Sequence, residues 1–388
     1  MKRMAMLVLV VLLMTASVYG TNTRVLTMGD NNRILLDEAN INLFPSRLFD
    51  YPNLAVAEFD NDNMMELGVH WQFNKDKPWV LGTYLHNNSA TTHPFAPINA
   101  PFGENKRLDL YYARNLGDHK FGFHMGLRNS SDTDEKPDDK SEASLSIWNF
   151  DLGLTPDGDD MDVSMGLEMM TFSDKGTIAA DSSQYDQHKP KGNMAFYAQA
   201  RKFHKMNAQC SIIPHAAIRF GKFEREEYTV QNNAAVLTQT VKNNLFEFDA
   251  GAGLEYTPAS NVLAVMDFGV VYDMVKTESK TATVTAETKD KTFTLPYFKI
   301  GFDADVFRWL DVRFGATSYW NRQTIEAGTS KDKINMPDNE TYLGFGFHWN
   351  RLHVDAQANP ALFMDGFNFL SGRSNDMNFR LSAVYEMM

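Results

Sequence analysis

Hydrophobic and polar residues alternate along most of this chain, from about residue 53 to its C-terminus. In residues 64–73 the apolar positions are Met65, Leu67, Val69, Trp71 and Phe73. The same spacing recurs in residues 119–128, 161–169, 244–256, 309–320, 342–349 and 378–388. Because side chains alternate between the two faces of a strand, a period of two predicts β-strands with one apolar and one polar face.

The length of these runs separates two kinds of β protein. The runs have about 10–14 residues, whereas strands of soluble proteins mostly have about 5–6. A tilted strand needs about 9–11 residues to cross a bilayer. The polar face repeatedly combines glycine with charged residues, as expected of the wet interior of a barrel. The pattern therefore predicts an all-β fold, a transmembrane antiparallel β-barrel rather than a soluble sandwich.

Turns and loops alternate in length along the chain. Short turns are predicted at 74–78, 115–118, 155–160, 204–207, 257–260, 305–308 and 350–351. Long polar loops are predicted at 87–105, 130–143, 173–191, 223–243, 277–291, 322–339 and 360–376. Short turns at one rim and long loops at the other are typical of bacterial outer-membrane barrels. The count is 16 strands if residues 53–59 and 352–358 are strands, and 14 is the alternative.

The first 20 residues have the pattern of a signal peptide. Lys2 and Arg3 precede the apolar stretch Leu7 to Met14, and the small or modest residues Val18-Tyr19-Gly20 precede a predicted cleavage site after Gly20. We therefore divide the chain into a signal peptide (1–20), an N-terminal segment (21–52) and a barrel (53–388). The predicted location is the bacterial outer membrane.

Composition narrows the function classes. The formal net charge of −12 argues against nucleic-acid binding, and the single cysteine, Cys210, cannot form an internal disulfide. The sequence lacks the common motifs for a catalytic serine, a zinc protease or a phosphate-binding loop. We expect no enzymatic activity, no catalytic residues, no cofactor and no metal.

The polar face of the predicted strands supplies candidate pore-lining residues. They are Glu66, His70, His124, Arg128, Asp151, Glu168, Arg201, Glu247, Asp249, Arg313, His348 and Asp355. One interpretation is a water-filled, cation-selective passage, and the other is a closed lumen filled by cross-strand ion pairs. His348 and His353 lie on adjacent predicted strands and could approach each other beside Asp355.

Residues 21–52 alternate poorly and carry a different pattern. Arg24, Leu26, Met28 and Gly29 precede Asp37-Glu38-Ala39, and Pro45 follows within a Phe-Pro-Ser turn. This stretch resembles the mature N-terminus of the FadL-type and PorV-like superfamily of outer-membrane proteins, which includes transporters of hydrophobic compounds. Gly29-Asp30-Asn31 departs from the family's usual Gly-Gly-Ala, and Phe44-Pro45-Ser46 from its Asn-Pro-Ala.

The resemblance implies that the N-terminal segment is a hatch inside the barrel. The candidate plug residues are Arg24, Met28, Leu35, Leu36, Asp37 and Phe44. The family norm of 14 strands differs from the count of 16.

Two functions follow from these patterns. The first is a transporter or channel for small or hydrophobic molecules with an internal plug. The second is a closed structural or adhesive outer-membrane barrel with acidic external loops and no transport. Expected partners are outer-membrane lipid, a small solute or hydrophobic ligand and the barrel assembly machinery, with no nucleic acid.

Overall fold

The protein is a closed antiparallel β-barrel of sixteen strands. The computed structural model describes residues 21–60, 65–87, 106–136, 139–177, 184–231, 234–358 and 379–387. The strands are β1 Leu54–Asp60, β2 Met65–Phe73, β3 Trp79–Asn87, β4 Lys106–Leu116, β5 His119–Lys136, β6 Asp139–Thr155, β7 Met161–Thr177, β8 in three pieces (Gln184–Pro190, Asn193–Lys202 and His204–Lys205), β9 Cys210–Gln231, β10 Ala234–Ala259, β11 Val262–Thr281, β12 Thr285–Phe307, β13 Leu310–Ala327, β14 Ser330–Trp349, β15 Leu352–Ala358 and β16 Arg380–Glu386.

The sheet closes where the first strand meets the last. β1 pairs with β2 on one side and with β16 on the other, with Val56 opposite Val384. The first two pieces of β8 pair with both β7 and β9, and the short third piece pairs with β9. The three pieces therefore count as one strand of the barrel. The count of 16 is therefore confirmed. Among the described strands, closure leaves no unpaired edge, as a sheet in hydrocarbon requires.

The outer face of the barrel is apolar and the inner face is polar. Trp71, Leu85, Phe268 and Trp320 are exposed on the outside, whereas Asp109, Asp151 and Asp267 on the opposite face are buried. The apolar positions of each strand therefore face outward and the polar positions face inward, as predicted. An exposed surface with this many large hydrophobic side chains is stable against lipid rather than against water.

Aromatic side chains form bands on this outer face. Near the short turns Phe73 stacks on Trp79, with ring centroids 4.2 Å apart, and Trp309 stacks on Phe307 and Phe347. Trp320 is exposed ten positions further along β13 from Leu310. With about 3.3 Å per residue and a tilt of about 40°, that distance is about 25 Å, the height of an outer-membrane apolar band.

Several predicted long loops are in fact extensions of strands. Residues 277–291 and 322–339 form hairpins, because β11 and β13 continue almost to the start of the next strand. The described parts of the predicted loops 130–143, 173–191 and 223–243 also belong almost entirely to strands, from β5 to β10. The loop prediction was wrong there because these extensions carry charged residues on both faces, so the apolar alternation ends although the strand does not. Cross-strand ion pairs join them, including Lys276–Glu287 at 3.0 Å.

Other predictions lie wholly or partly outside the described residues. These are the signal peptide, the whole of the loop 360–376, most of the loop 87–105, and parts of the loops 130–143 and 173–191. Within the described ranges, no helix is long and apolar enough to cross a membrane.

The N-terminal segment contains three short helices. Thr21 caps the helix Asn22–Thr27 by accepting a hydrogen bond from the Arg24 N–H at 3.1 Å. Asp37 and Asn40 form a capping box at the 3₁₀ helix Glu38–Asn42. A second 3₁₀ helix, Pro45–Asp50, begins with proline, which has the fixed φ that a first helical position needs.

Candidate functional site in the lumen

The N-terminal segment packs against inward-facing residues from strands spread around the barrel. Arg24 donates to Asp37 at 2.7 Å and to Asp303 of β12 at 3.2 Å. Arg313 of β13 donates to the same Asp303 at 3.1 Å and also pairs with Asp355 of β15. Two arginines and three carboxylates thus join the segment to three strands through buried, charge-assisted hydrogen bonds.

A second network holds the other end of the segment. Asp162 of β7 accepts from Arg47 of the segment and from Arg201 of β8, each at 2.8 Å. Arg201 also donates to the Leu35 carbonyl at 3.0 Å, and its guanidinium lies 4.6 Å from the centre of the Phe44 ring. Arg201 is fully buried, so its contacts with the segment exclude water from the charged group.

Glycines in the wall let the backbone of the segment approach closely. A Cβ on Gly122 of β5 would lie 2.1 Å from the Pro45 carbonyl carbon. A Cβ on Gly315 of β13 would lie 2.1 Å from the Gly29 nitrogen. The glycines on the polar face therefore accommodate the N-terminal segment at these positions, where any side chain would displace it.

The middle of the segment buries a carboxyl group. Glu38 accepts a hydrogen bond from Tyr84 of β3, whose hydroxyl also lies 2.7 Å from Nε2 of His70. Burial raises the pKa of Glu38 well above its ordinary value, although the Tyr84 hydrogen bond opposes that shift. The nearby carboxylates of Glu66, Asp37 and Glu58 also raise it.

A row of alternating acids and histidines crosses five strands of the wall. It contains Glu66, His86, Asp109, His124 and Asp151. His86 lies 3.1 Å from Glu66 and 2.8 Å from Asp109, the second contact being outside the angle of a hydrogen bond. His124 lies 2.8 Å from Asp109 and also pairs with Asp151.

Arg107 adds a cation beside this row, with its Nε atom 2.6 Å from Asp109. Each histidine lies between two carboxylates and can share a proton with either of them. A closely paired set of this kind is the arrangement in which buried charges are stable.

The lumen also contains an apolar cluster, which the sequence analysis missed. Its members are Leu145, Ile147, Met170, Phe172, Ala195, Phe223 and Leu245, with Val275 packed against them. They point inward, because Trp148, Met169 and Met194 at neighbouring positions are exposed on the outside. On each strand, these apolar side chains lie on the same inward face as charged ones. The alternation pattern therefore breaks down there and does not show which apolar residues face the lumen and which face lipid.

The other half of the lumen is mainly acidic. His215 lies 2.9 Å from Asp267, and Tyr297 donates to Asp249 at 3.3 Å. Arg33 of the segment also pairs with Asp249. Glu168 of β7 pairs with Arg219 of β9 at 3.2 Å.

The predicted pore-lining residues all face inward but do not form one ring. Asp355, Arg313 and Arg201 contact or hold the N-terminal segment, whereas Arg128 and Glu247 are half-buried and lie apart from these networks. Among the predicted plug residues, Leu36 is 43% exposed, whereas Arg24, Met28, Leu35, Asp37 and Phe44 are buried.

The two histidines near the last turns approach each other as predicted. Nδ1 of His348 lies 2.8 Å from Nδ1 of His353. The predicted third member, Asp355, instead pairs with Arg313, and the acid that contacts His348 is Asp311. Asp303, Asp305 and Asp311 form an acidic group beside them, with ligand atoms within 4.8 Å of one another.

Comparisons with known proteins find similarity only among solved structures. No protein-family model matches the chain, and no curated protein matches it. The Pseudomonas putida toluene transporter TodX is 8% identical, with 95% of this chain and 99% of that chain covered and a TM-score of 0.43. The Ralstonia pickettii toluene transporter TbuX is 10% identical, with 95% and 98% covered and a TM-score of 0.41.

A receptor of another kind is also similar. The ferric yersiniabactin uptake receptor FyuA from Yersinia pestis is 7% identical, with 86% of this chain and 80% of that chain covered and a TM-score of 0.37. Similarity at these levels says nothing about substrate.

Proposed function

We propose that the protein is a bacterial outer-membrane transporter or channel for small or hydrophobic molecules, with residues 21–52 as an internal plug. The apolar cluster in the lumen is the observation that carries this proposal. The lumen of a water-filled barrel is lined by polar groups, whereas this one places Ile147, Met170 and Phe172 on the inner face. An apolar molecule in contact with them gains about 25 cal/mol for each Å² removed from water.

The contacts of the N-terminal segment support its role as a plug. Its partners come from β1, β3, β7, β8, β12 and β15, among other strands. A segment bonded to so many strands crosses the lumen and narrows it. A molecule that passes through the barrel must therefore pass beside the segment or displace it.

The polar residues that lie apart from these networks complete the proposed path. Arg128 and Glu247 are half-buried and face inward, so they are available to solvent or solute in the lumen. Assembly by the barrel assembly machinery is expected of any such barrel and stays a prediction.

Uptake of an apolar probe tests the proposed function. Intact Gram-negative cells that express the protein are given radiolabelled naphthalene, and the rate of uptake is compared between variants. We expect Ile147→Asn to reduce protein-dependent uptake at least fivefold, because a polar amide replaces an apolar contact, whereas Ile147→Leu preserves it. Heat-modifiable mobility in gels shows that each variant is folded. Equal uptake by cells with and without the protein would contradict the proposal.

A closed structural or adhesive barrel is the second candidate. The buried ion-pair networks that fill much of the lumen and the long outer hairpins favour it. It predicts no protein-dependent uptake and no current, with or without the N-terminal segment.

A further inference from the structure

Two histidines face each other at the short-turn rim of the barrel. His348 ends the inward row of β14 and His353 begins that of β15, directly opposite it across the turn. Their Nδ1 atoms are 2.8 Å apart, and their ring planes are nearly perpendicular at 84°. Because the two residues flank one tight hairpin turn, their approach depends on local structure alone.

The second nitrogen of each ring faces a carboxylate. Nε2 of His348 donates to Asp311, and Nε2 of His353 lies 3.5 Å from Glu386. Each carboxylate favours the proton on Nε2 and so leaves the lone pair on Nδ1. Histidines that bind metals are usually held in this way, with the ligating nitrogen opposite one that donates to a carboxylate.

We propose that His348 and His353 bind a divalent transition-metal ion of the Cu²⁺ or Ni²⁺ class through their Nδ1 atoms. Binding displaces the single proton that two facing ring nitrogens otherwise share, and both rings turn so that their lone pairs point to an ion beside the line between the two atoms. With metal–nitrogen bonds of about 2.0–2.1 Å, a separation of 2.8 Å corresponds to an angle of about 90° at the metal. That is the angle between neighbouring ligands in tetragonal copper and nickel sites.

Tetrahedral zinc fits this pair less well. An angle of about 109° needs nitrogens about 3.3 Å apart, so the hairpin would have to open. Imidazole nitrogen suits copper and nickel, and their affinity for nitrogen sites is high among first-row divalent ions.

The surroundings favour a cation and leave room for its remaining ligands. Both histidines line a cavity of about 470 Å³, which Asp303, Asp305 and Asp311 also line. The carboxylates raise the local concentration of cations, and water can complete the coordination in the cavity. The acidic group attracts the cation electrostatically, and the two imidazoles form the metal–nitrogen bonds.

The proposed site is coupled to the N-terminal segment through Asp311. That carboxylate accepts from His348 and from Arg313, and Arg313 shares Asp303 with Arg24. Four hydrogen bonds in sequence therefore connect His348 to Arg24 of the segment. The metal site does not depend on transport, so either proposal can fail without the other.

Copper binding tests the site directly. The full-length mature protein, without a polyhistidine tag, is titrated with Cu²⁺ in detergent and studied by electron spin-echo envelope modulation. We expect one ion per chain with two coordinated imidazoles. His348→Gln and His353→Gln should each reduce affinity at least tenfold and leave one imidazole or none.

The matched control is His204→Gln, which changes an exposed histidine at the same end of the barrel. It should keep both the affinity and the two-imidazole signal. Gel mobility before and after heating confirms that every variant is folded. Absence of stoichiometric binding, or equal binding by all three variants, would overturn the proposal and leave the histidines as a pair that shares a proton.

Discussion

At the residue scale, buried arginines decide how the N-terminal segment is held. Arg24 pairs with Asp37 and Asp303, and all three are buried. Removing one member of such a set leaves carboxylates without a counter-charge in a site from which water is excluded. The cost of breaking a buried pair in this way is about 3–5 kcal/mol.

Arg24→Gln therefore should strongly weaken the contact between segment and wall. We expect the free energy of unfolding in urea to fall by about 3 kcal/mol or more. Arg33→Gln is the control, because the Arg33 side chain is 26% exposed, so water can replace part of its pair with Asp249 and the loss should be smaller. Equal losses in the two variants would show that Arg24 does not anchor the segment.

Glu38 gives a prediction for pH. Its pKa is raised on folding, so its contribution to stability is largest below the unfolded pKa of about 4.3 and is lost as pH rises through the folded value. Glu38→Gln keeps an acceptor for Tyr84 and removes the buried charge. We expect this variant to be more stable than the native protein at pH 8 and nearly equal to it at pH 4, measured from urea midpoints. A variant less stable at pH 8 would refute this.

Some contacts between single residues could be predicted from the sequence and others could not. The approach of His348 and His353 was predictable, because the tight turn between them fixes the register of the hairpin. The convergence of Arg47, Arg201 and Asp162 was not, because it joins the N-terminal segment to two distant strands. Such contacts depend on the path of a segment that has no periodic pattern.

At the element scale, strands continue beyond the part that the sequence pattern reveals. β13 extends to Ala327, although its lipid-facing pattern ends near Trp320. Apolar alternation reports contact with hydrocarbon, whereas hydrogen bonding between strands needs no apolar side chain. The sequence pattern therefore predicts only the lipid-facing part of each hairpin, and the part beyond it was interpreted as a loop.

Shortening an outer hairpin tests this division. Replacing residues 324–333 by an Asn-Gly turn preserves the paired residues Gln323 and Ile334 and removes the outer end of the β13–β14 hairpin, with its pairing to residues 288–291 of β12. We expect the barrel to fold with unchanged heat-modifiable mobility and a urea midpoint within experimental error. Failure to fold would show that the outer part contributes to barrel formation.

At the scale of the whole molecule, the barrel fold could be predicted from the sequence, whereas the contacts inside the lumen could not. Alternation, strand length and turn positions predicted a closed barrel and its sixteen strands, since each depends on one strand or on neighbouring strands. The inward face could be predicted as a set of positions. Alternation does not predict which of those residues pair with each other. Arg313 pairs with Asp303 and Asp355 because of the three-dimensional arrangement of the strands.

We propose that residues 21–52 obstruct the lumen of this barrel. Single-channel recording in planar bilayers tests it directly, by comparison of the full mature chain with a variant that lacks residues 21–50. The account predicts a clearly higher conductance for the shortened protein, with Arg24→Gln giving intermediate values or transient openings. The same conductance for the full and the shortened chains would contradict it.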